Sequence, residues 1–557
     1  MSNVPGDIAA TLAEANAAAL AGRHADALAA FRRIVARADA PAAAHVNFVA
    51  TLVAAREVPE ALAAAGAALS AFPANGAVSA VAGEAALAAG LPVQAAGHFE
   101  RALALDGPHA ARLGNLAMAL QGQGRIAEAL GALAKARKLA PDDARLASNA
   151  LMCAHYDPPD SPAQAAARAR SWPGIVGAMR PAARDPQPDR VLRVGYASPD
   201  FCNHSCSYFL VPLLAGHDRG AVEIHAYSDV AVPDGLTAAF RGLVPNWHDM
   251  TGLDDAAFVR QVRADGIDVL VDCAGHTTGN RLGAFAARAA PVQATWLGYP
   301  GTTGLDVFDA RLVDDITDPP GIADAAASEP LARVDGGFLA YMPPPYAPAV
   351  SPPPMATSGR PTFGSFNNLP KISSATLDLW AAALRAVPAA RMLVKARGLD
   401  EAPTRARLAE GFVSRAIDPA RIEFAGFAGS LPAHIARYAE IDVALDTTPY
   451  NGTTTTCEAL WMGVPVVTLA GDRHAARVSA SLLARVGGGQ WVAADAEGFA
   501  ARAAALVADV EALGRLRGGL RARMAASPLC DGVRLARGFE AVYRRLWRRV
   551  VSPPAMV

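Results

Sequence analysis

A 34-residue period governs the first 150 residues of this chain. Ala27, Ala61, Ala95 and Ala129 are each 34 apart, and so are Gly22, Arg56, Gly90 and Gly124. Phe31, Ala65, Phe99 and Leu133 keep the same step, and Pro73, Gly107 and Pro141 mark the ends of units. A small Ala lets two helices cross closely, while Gly or Pro breaks the chain between them. A helix–turn–helix unit of this length cannot bury its own apolar face. About four such units must therefore stack into a solenoid with a concave groove.

The period and its small-residue register are those of tetratricopeptide repeats, and such arrays usually bind protein or peptide in the groove. A protein or peptide lying along the repeats is the expected partner, with a purely architectural role as the alternative. The remaining residues are too many for repeats alone, since 557 residues suggest three or four folding units. Lys and Arg number 51 against 52 Asp and Glu, a balance that argues against a general nucleic-acid binder. Six cysteines with no dense framework fit a reducing compartment. The start, MSNVPGDIAATLAEANAAALAGR, lacks a basic segment followed by a compact apolar one, and no stretch of ~20 residues is strongly apolar. The expected setting is the cytoplasm, with no membrane association.

Residues 1–156 are read as the repeat solenoid and the Pro- and Arg-rich residues 157–190 as a linker. Regular alternation of apolar strand candidates with helical stretches then runs over 191–341, is interrupted by MPPPYAPAVSPPPMATSGRP (342–361), and resumes over 362–557. This predicts two Rossmann-like lobes with parallel sheets and a cleft between them. Ligands in such sheets bind beyond the carboxyl ends of the strands.

Three post-strand loops carry candidate chemistry. In LDTTPYNGTTTTCEALWMGVPVV (445–467) a strand ends, a turn follows, and Thr453, Thr454 and Thr455 open a helix. Free N–H groups, a positive partial charge and hydroxyls suit a phosphate there, and Glu458 on the same helix is a candidate acceptor for ribose hydroxyls. GSFNNLPKI (364–372) places Lys371 to neutralise a diphosphate, with Asn367 and Asn368 as amide partners. PDFCNHSCSYF (199–209) offers His204 as a base or as a holder of an acceptor hydroxyl. His276 in GHTTGNRL and Arg477 in GDRHAARVSASLL are further candidates. His434 and Arg437, three apart on a helix, share a face that can turn to a nucleotide. No carboxylate pair follows a strand in a way that suits a divalent metal, so the site is expected to work without metal or cofactor. The helical face Phe539, Tyr543, Leu546 and Trp547 reads as packing that closes the last domain.

In their order, NHSCSYF, APVQATWLGYPGTTG, GSFNNLPKI, DTTPYNGTTTTCEALWMGVPVVTLAG and SPLC resemble the O-GlcNAc transferase/SPINDLY family of protein O-glycosyltransferases. The resemblance implies a GT-B fold whose C-terminal lobe holds the nucleotide sugar, no metal requirement, and inverting transfer of one sugar to Ser/Thr of a protein. It also implies that His204 is the active-site histidine and Lys371 the diphosphate-binding lysine. His434 and Arg437 face the nucleotide in this reading, and Thr454 and Thr455 hold the phosphate. Thr453 stands where animal O-GlcNAc transferases have His, Glu458 where they have Asp, Asn368 where they have Gln, and Leu431 where a Lys falls. NNLPKI, NGTTTTCE and GHTTGNRL are closer to SPINDLY, whose plant members use GDP-fucose. The implied donor is therefore UDP-GlcNAc or GDP-fucose. A repeat scaffold with a degenerate nucleotide-binding module, and a transferase acting on a non-protein acceptor, are the alternatives.

Overall fold

The computed structural model describes residues 5–158, 160–174 and 178–552. Within them the chain divides into two compact units. Residues up to Leu146 join Arg397–Leu408 in one, and Ala147–Ala396 join the chain from Ala409 onward in the other.

The first unit is a run of helical hairpins: α1 (Pro5–Leu20) with α2 (His24–Val35), α3 (Ala42–Ala54) with α4 (Val58–Ala71), α5 (Gly76–Ala88) with α6 (Pro92–Asp106), and α7 (Ala110–Gly122) with α8 (Ile126–Leu139). The 34-residue register is physical. Ala27, Ala61, Ala95 and Ala129 are all fully buried, as are Phe31 and Phe99. At the inter-helix turns Gly22, Gly90 and Gly124 take φ of 74°, 74° and 73°, and Arg56 takes 61° in the same register. That left-handed conformation costs a side chain energy that glycine avoids. Segment 397–408 belongs to this unit because Glu401 caps α6. Its carboxylate accepts the Val93 N–H at 3.0 and 3.2 Å and the Gln94 N–H at 3.3 Å, where Leu91 at the N-cap supplies no capping side chain.

The second unit holds two parallel sheets. The first contains β1 (Leu192–Ser198), β2 (Val222–Ser228), β3 (Asn246–Asp249), β4 (Val269–Asp272), β5 (Val292–Thr295), β6 (Ala310–Val313) and β7 (Leu331–Arg333), in the order β3-β2-β1-β4-β5-β6-β7. The second contains β8 (Thr362–Ser365), β9 (Arg391–Lys395), β10 (Ile422–Ala425), β11 (Val443–Leu445), β12 (Val466–Leu469) and β13 (Val492–Ala493), in the order β10-β9-β8-β11-β12-β13. Every pairing is parallel. Strand order reverses between β1 and β4 in one sheet and between β8 and β11 in the other. Those reversals open crevices at the carboxyl ends of the strands, where a ligand is held.

The last helix, Gly532–Val551, does not close the domain it follows in sequence. It packs on the first lobe, with Phe539 edge-on to Trp296 at 5.1 Å and the Tyr543 hydroxyl 3.0 Å from that of Tyr196. The approach is backbone to backbone. A Cβ on Gly216 would stand 2.4 Å from the Gly532 carbonyl oxygen, and one on Gly532 would stand 2.4 Å from that of Pro212. Segment 471–485 also reaches the first lobe. His474 Nδ1 lies 2.5 Å from Asp318 Oδ2, Arg477 Nε donates to the Ile316 carbonyl at 2.6 Å, and Arg485 pairs with Asp315 at 2.9 Å. No helix among the described residues is long and apolar enough to cross a membrane.

Candidate functional site

The two sheet reversals collect most of the candidate side chains. In the second lobe the β11 strand runs into Asp446, which is fully enclosed and organises the turn after it. Its Oδ1 accepts the Thr447 and Gly452 N–H groups, each at 2.8 Å, and Oδ2 accepts the Thr468 hydroxyl at 2.7 Å. Burial pushes this carboxyl above its ordinary value against those donors. Ser373, which caps helix Ser374–Ala386, and Thr376 both donate to the Thr448 carbonyl, at 2.6 and 2.7 Å. The turn 446–452 is therefore pinned from both sides.

Lys371 ends the short turn Leu369–Lys371 after β8 and points at that loop. Its Nζ donates to the Asn451 carbonyl at 2.7 Å and stands 3.9 Å from the centre of the Tyr450 ring. Burial lowers its pKa to about 8, with Asp446 acting the other way. The ammonium is thus held beside one carbonyl and one aromatic face, which leaves donor capacity for an anion. Tyr450 itself is stacked on Tyr156, with centroids 5.4 Å apart, and stands 6.4 Å from the His155 ring.

Helix Thr454–Trp461 begins next to it. Thr453 at the N-cap makes no side-chain capping bond, so its first-turn N–H groups have no capping hydroxyl. The four threonines divide their work. Thr453 and Thr454 are half-buried, Thr455 donates to Asn367 Oδ1 at 2.8 Å, and Thr456 is buried and bonded to Ser479 at 2.9 Å. Asn367 is buried and bridges the end of β8 to that helix start, while Asn368 is exposed.

His434 lies between Lys395 and Glu458. Lys395 Nζ is 2.7 Å from Nδ1, and Nε2 is 2.9 Å from Glu458 Oε2. An ammonium only donates, so Nδ1 accepts and Nε2 carries the proton toward Glu458. The Tyr438 hydroxyl donates to the same oxygen at 3.0 Å.

In the first lobe His204 follows β1. It is half-exposed, with Nδ1 3.3 Å from Asp200 Oδ2 and 3.3 Å from the Cys206 N–H. Burial raises the Asp200 carboxyl, and His204 opposes that shift. Asp200, His204 and Cys206 place one possible metal-ligand atom each within 4.8 Å of one another.

Four further candidates are engaged by partners within the protein. Arg437 forms a two-pronged pair with Glu440 at 2.8 Å on each prong. Glu458 is buried and already engaged by His434 and Tyr438 through Oε2, so it shapes the site as well as facing it. His276 is buried, with Nδ1 3.0 Å from the Ser148 hydroxyl and Nε2 2.8 Å from the Thr303 carbonyl, and burial lowers its pKa to about 4. Both ring nitrogens are used, which makes it a neutral core histidine. Arg477 spends its guanidinium on the Ile316 and Gly471 carbonyls and joins the lobes. The sequence reading missed Asp446, Tyr450 and Lys395. Asp446 alone had a local signal, as the last residue of a strand before a Pro-Tyr-Asn-Gly turn.

The model for glycosyl transferase family 41 matches residues 179–341 and 360–537, and a tetratricopeptide repeat model matches 86–151. The chain is 43% identical over 365 residues to the probable UDP-N-acetylglucosamine–peptide N-acetylglucosaminyltransferase SPINDLY of Oryza sativa subsp. japonica, covering 65% of this chain and 39% of that one. The Arabidopsis thaliana protein of the same description is 42% identical over 366 residues, covering 65% and 40%. This chain thus spans about two fifths of the length of these curated relatives. Among solved structures, a lysine-to-methionine variant of the Thermobaculum terrenum O-GlcNAc transferase superposes with a TM-score of 0.85 at 36% identity, covering 92% of this chain and 98% of that one. The repeats followed by paired parallel lobes are thus a tetratricopeptide solenoid and a GT-B-like fold. With the family match running through both lobes and every loop described above, the chain belongs to glycosyl transferase family 41.

Proposed function

We propose that this chain is a protein O-glycosyltransferase that moves one sugar from a nucleotide-sugar donor to a Ser or Thr hydroxyl, with inversion at the anomeric carbon. The observation that carries the reading is the pairing of Lys371 with the uncapped start of helix Thr454–Trp461 at the β8/β11 reversal. A diphosphate seated there meets an ammonium, hydroxyls and first-turn N–H groups. All of these stabilise the charge that develops as the nucleotide leaves. The acceptor oxygen bonds to the anomeric carbon as the bond from that carbon to the diphosphate oxygen breaks, and the hydroxyl proton passes to a base.

His204 is our assignment for that base or for the group that orients the hydroxyl. Its Nε2 is available to the hydroxyl only in the tautomer whose Nδ1–H donates to Asp200. The competing tautomer accepts the Cys206 N–H at Nδ1 and carries its proton on Nε2. Asp200 thus acts as a positioning residue. His434, held by Glu458 and Lys395, is assigned to the nucleoside, and Thr454 and Thr455 to the diphosphate. The acceptor protein is assigned to the repeat groove and the reaction to the cytoplasm, with no metal required.

The test is transfer itself. The protein is given UDP-GlcNAc or GDP-fucose with a pool of acceptor proteins, and modified Ser and Thr are located by mass spectrometry. Sugar on Ser/Thr in the wild type and none in Lys371→Ala supports the reading. Full transfer by a folded Lys371→Ala protein overturns it. A thermal-shift panel of UDP, GDP and their sugar conjugates names the donor, because a ligand that binds only the folded form raises the melting temperature.

A further inference from the structure

The first lobe carries a second chemical cluster, at the edge strand of its sheet, that shares no residue with the Asp200, His204 and Cys206 group. Strand alternation builds it. Glu223, His225 and Tyr227 point to one face of β2, and the β2/β3 register sets Asn246 opposite His225 and His248 opposite Tyr227. Helix Asp255–Ala264 ends against this face with Asp265 as its C-cap. The cluster thus lies on the face of the sheet against which this helix ends, from Asp265 before β4 to His248, which stands opposite Tyr227 near the carboxyl ends of the strands.

Three ligand atoms converge. His225 Nδ1 is 3.3 Å from His248 Nε2, His248 Nε2 is 3.5 Å from Asp265 Oδ2, and all three lie within 4.8 Å of one another. A tetrahedral zinc ion with bonds of about 2.0–2.1 Å separates its ligand atoms by roughly 3.3–3.5 Å. The atoms around them are arranged as they are around bound metals. His225 Nε2 is 3.1 Å from Glu223 Oε1, so its proton faces that carboxylate and the Nδ1 lone pair faces the cluster. Asp265 is oriented by the Tyr227 hydroxyl at 2.7 Å and by Gln261 Nε2 at 3.0 and 3.1 Å. The His248 ring lies nearly parallel to that of Tyr227, with centroids 4.7 Å apart. Side-chain exposures of 8%, 21% and 17% for His225, His248 and Asp265 leave room for water at a fourth position.

We propose that His225, His248 and Asp265 form a zinc-binding site that staples edge strand β3 to β2 and to the end of helix Asp255–Ala264. Two imidazoles and one carboxylate with an open fourth position select zinc over magnesium, which demands an octahedron of oxygens. The ion takes the lone pairs of His225 Nδ1 and His248 Nε2, so the His248 ring carries its proton on Nδ1 when zinc is bound. The ion ties together elements that are adjacent in space but separated in sequence, and so stabilises the lobe.

The full-length protein is stripped with a chelator and titrated with zinc against a chromogenic competitor, and with cobalt, whose visible absorption reports tetrahedral coordination. One equivalent at micromolar affinity or tighter, tetrahedral cobalt bands and a raised melting temperature are expected. The H225A/H248A double variant should lose that equivalent, whereas His204→Ala, in the other candidate cluster, should keep it. Glu223→Gln leaves the ligands in place and should weaken binding about 10–100-fold. This second variant decides the matter if the double variant fails to fold. No zinc uptake by the wild type, an equivalent retained by the folded double variant, loss of the equivalent in His204→Ala, or unchanged affinity in Glu223→Gln would overturn the proposal. None of these readouts depends on sugar transfer.

Discussion

The ammonium of Lys371 sits 2.7 Å from the carbonyl oxygen of Asn451, below the ring of Tyr450. The charge is enclosed before any donor arrives, and its pKa falls from 10.5 to about 8. Three consequences are expected. Affinity for a nucleoside diphosphate falls as pH rises through about 8, because the amine no longer offers a charge; calorimetric titration across that range measures it. The unfolded chain holds the lysine proton up to its ordinary value while the folded chain releases it near 8, so this group adds stability as pH rises between the two. Lys371→Met should abolish transfer and raise the unfolding free energy at neutral pH by roughly 1–3 kcal/mol, since it removes a desolvated charge.

Asp200 is predicted to govern turnover without governing donor binding. Asp200→Asn removes the carboxylate that favours Nδ1–H on His204 and lets the Cys206 N–H take that nitrogen. The expected result is a drop in kcat of at least about tenfold with donor Kd unchanged. Equal changes in both would place Asp200 in the donor pocket instead.

Gly532→Ala is predicted to loosen the seat of the C-terminal helix. The added carbon would meet the Pro212 carbonyl oxygen at 2.4 Å, and backbone cannot swing aside as a flexible side chain can. A loss of about 1–3 kcal/mol in denaturant unfolding is expected. Gly518→Ala, where a Cβ meets nothing within 4 Å, should be neutral or slightly stabilising by the same measurement.

Arg56→Gly is predicted to stabilise the solenoid. Arg56 holds φ at 61° in the register where Gly22, Gly90 and Gly124 hold 73–74°. Relieving that conformation should gain about 1 kcal/mol, less what the unfolded glycine recovers in entropy, and the melting temperature should rise. A fall in melting temperature would mean that the Arg56 side chain contributes more than the backbone strain costs.

Much of this architecture is written locally in the sequence. The alanines and phenylalanines of the 34-residue register are the buried ones, because each repeat solves the same packing problem with its neighbour. Strands such as β1, β2, β4, β5 and β9 announce themselves as apolar runs followed by turn residues, and the loops after β1, β8 and β11 proved to be those at the sheet reversals. Partners chosen across long sequence distances were not legible. β3, β6 and β7 are three or four residues long and exist because a neighbouring edge was open. Nothing near His276 announces Ser148 and Thr303, and nothing near Tyr450 announces Tyr156. The Arg437–Glu440 pair is three residues apart, the same spacing that sets Arg437 on a face with His434, so spacing alone does not say which partner the guanidinium takes.

The twelve residues Arg397–Leu408 leave the second sheet, lodge among the repeats and return. A protein shortened to begin at Ala147 would therefore not be a clean excision. Glu401 would lose the amides of Val93 and Gln94, and Arg407 would lose the Gln123 carbonyl. Two charged side chains would be stranded on a loop tethered at both ends to β9 and β10. Anyone trimming the solenoid to isolate the lobes should redesign that excursion as well, or read any lost activity as damage to the stump and not as evidence that the repeats take part in chemistry.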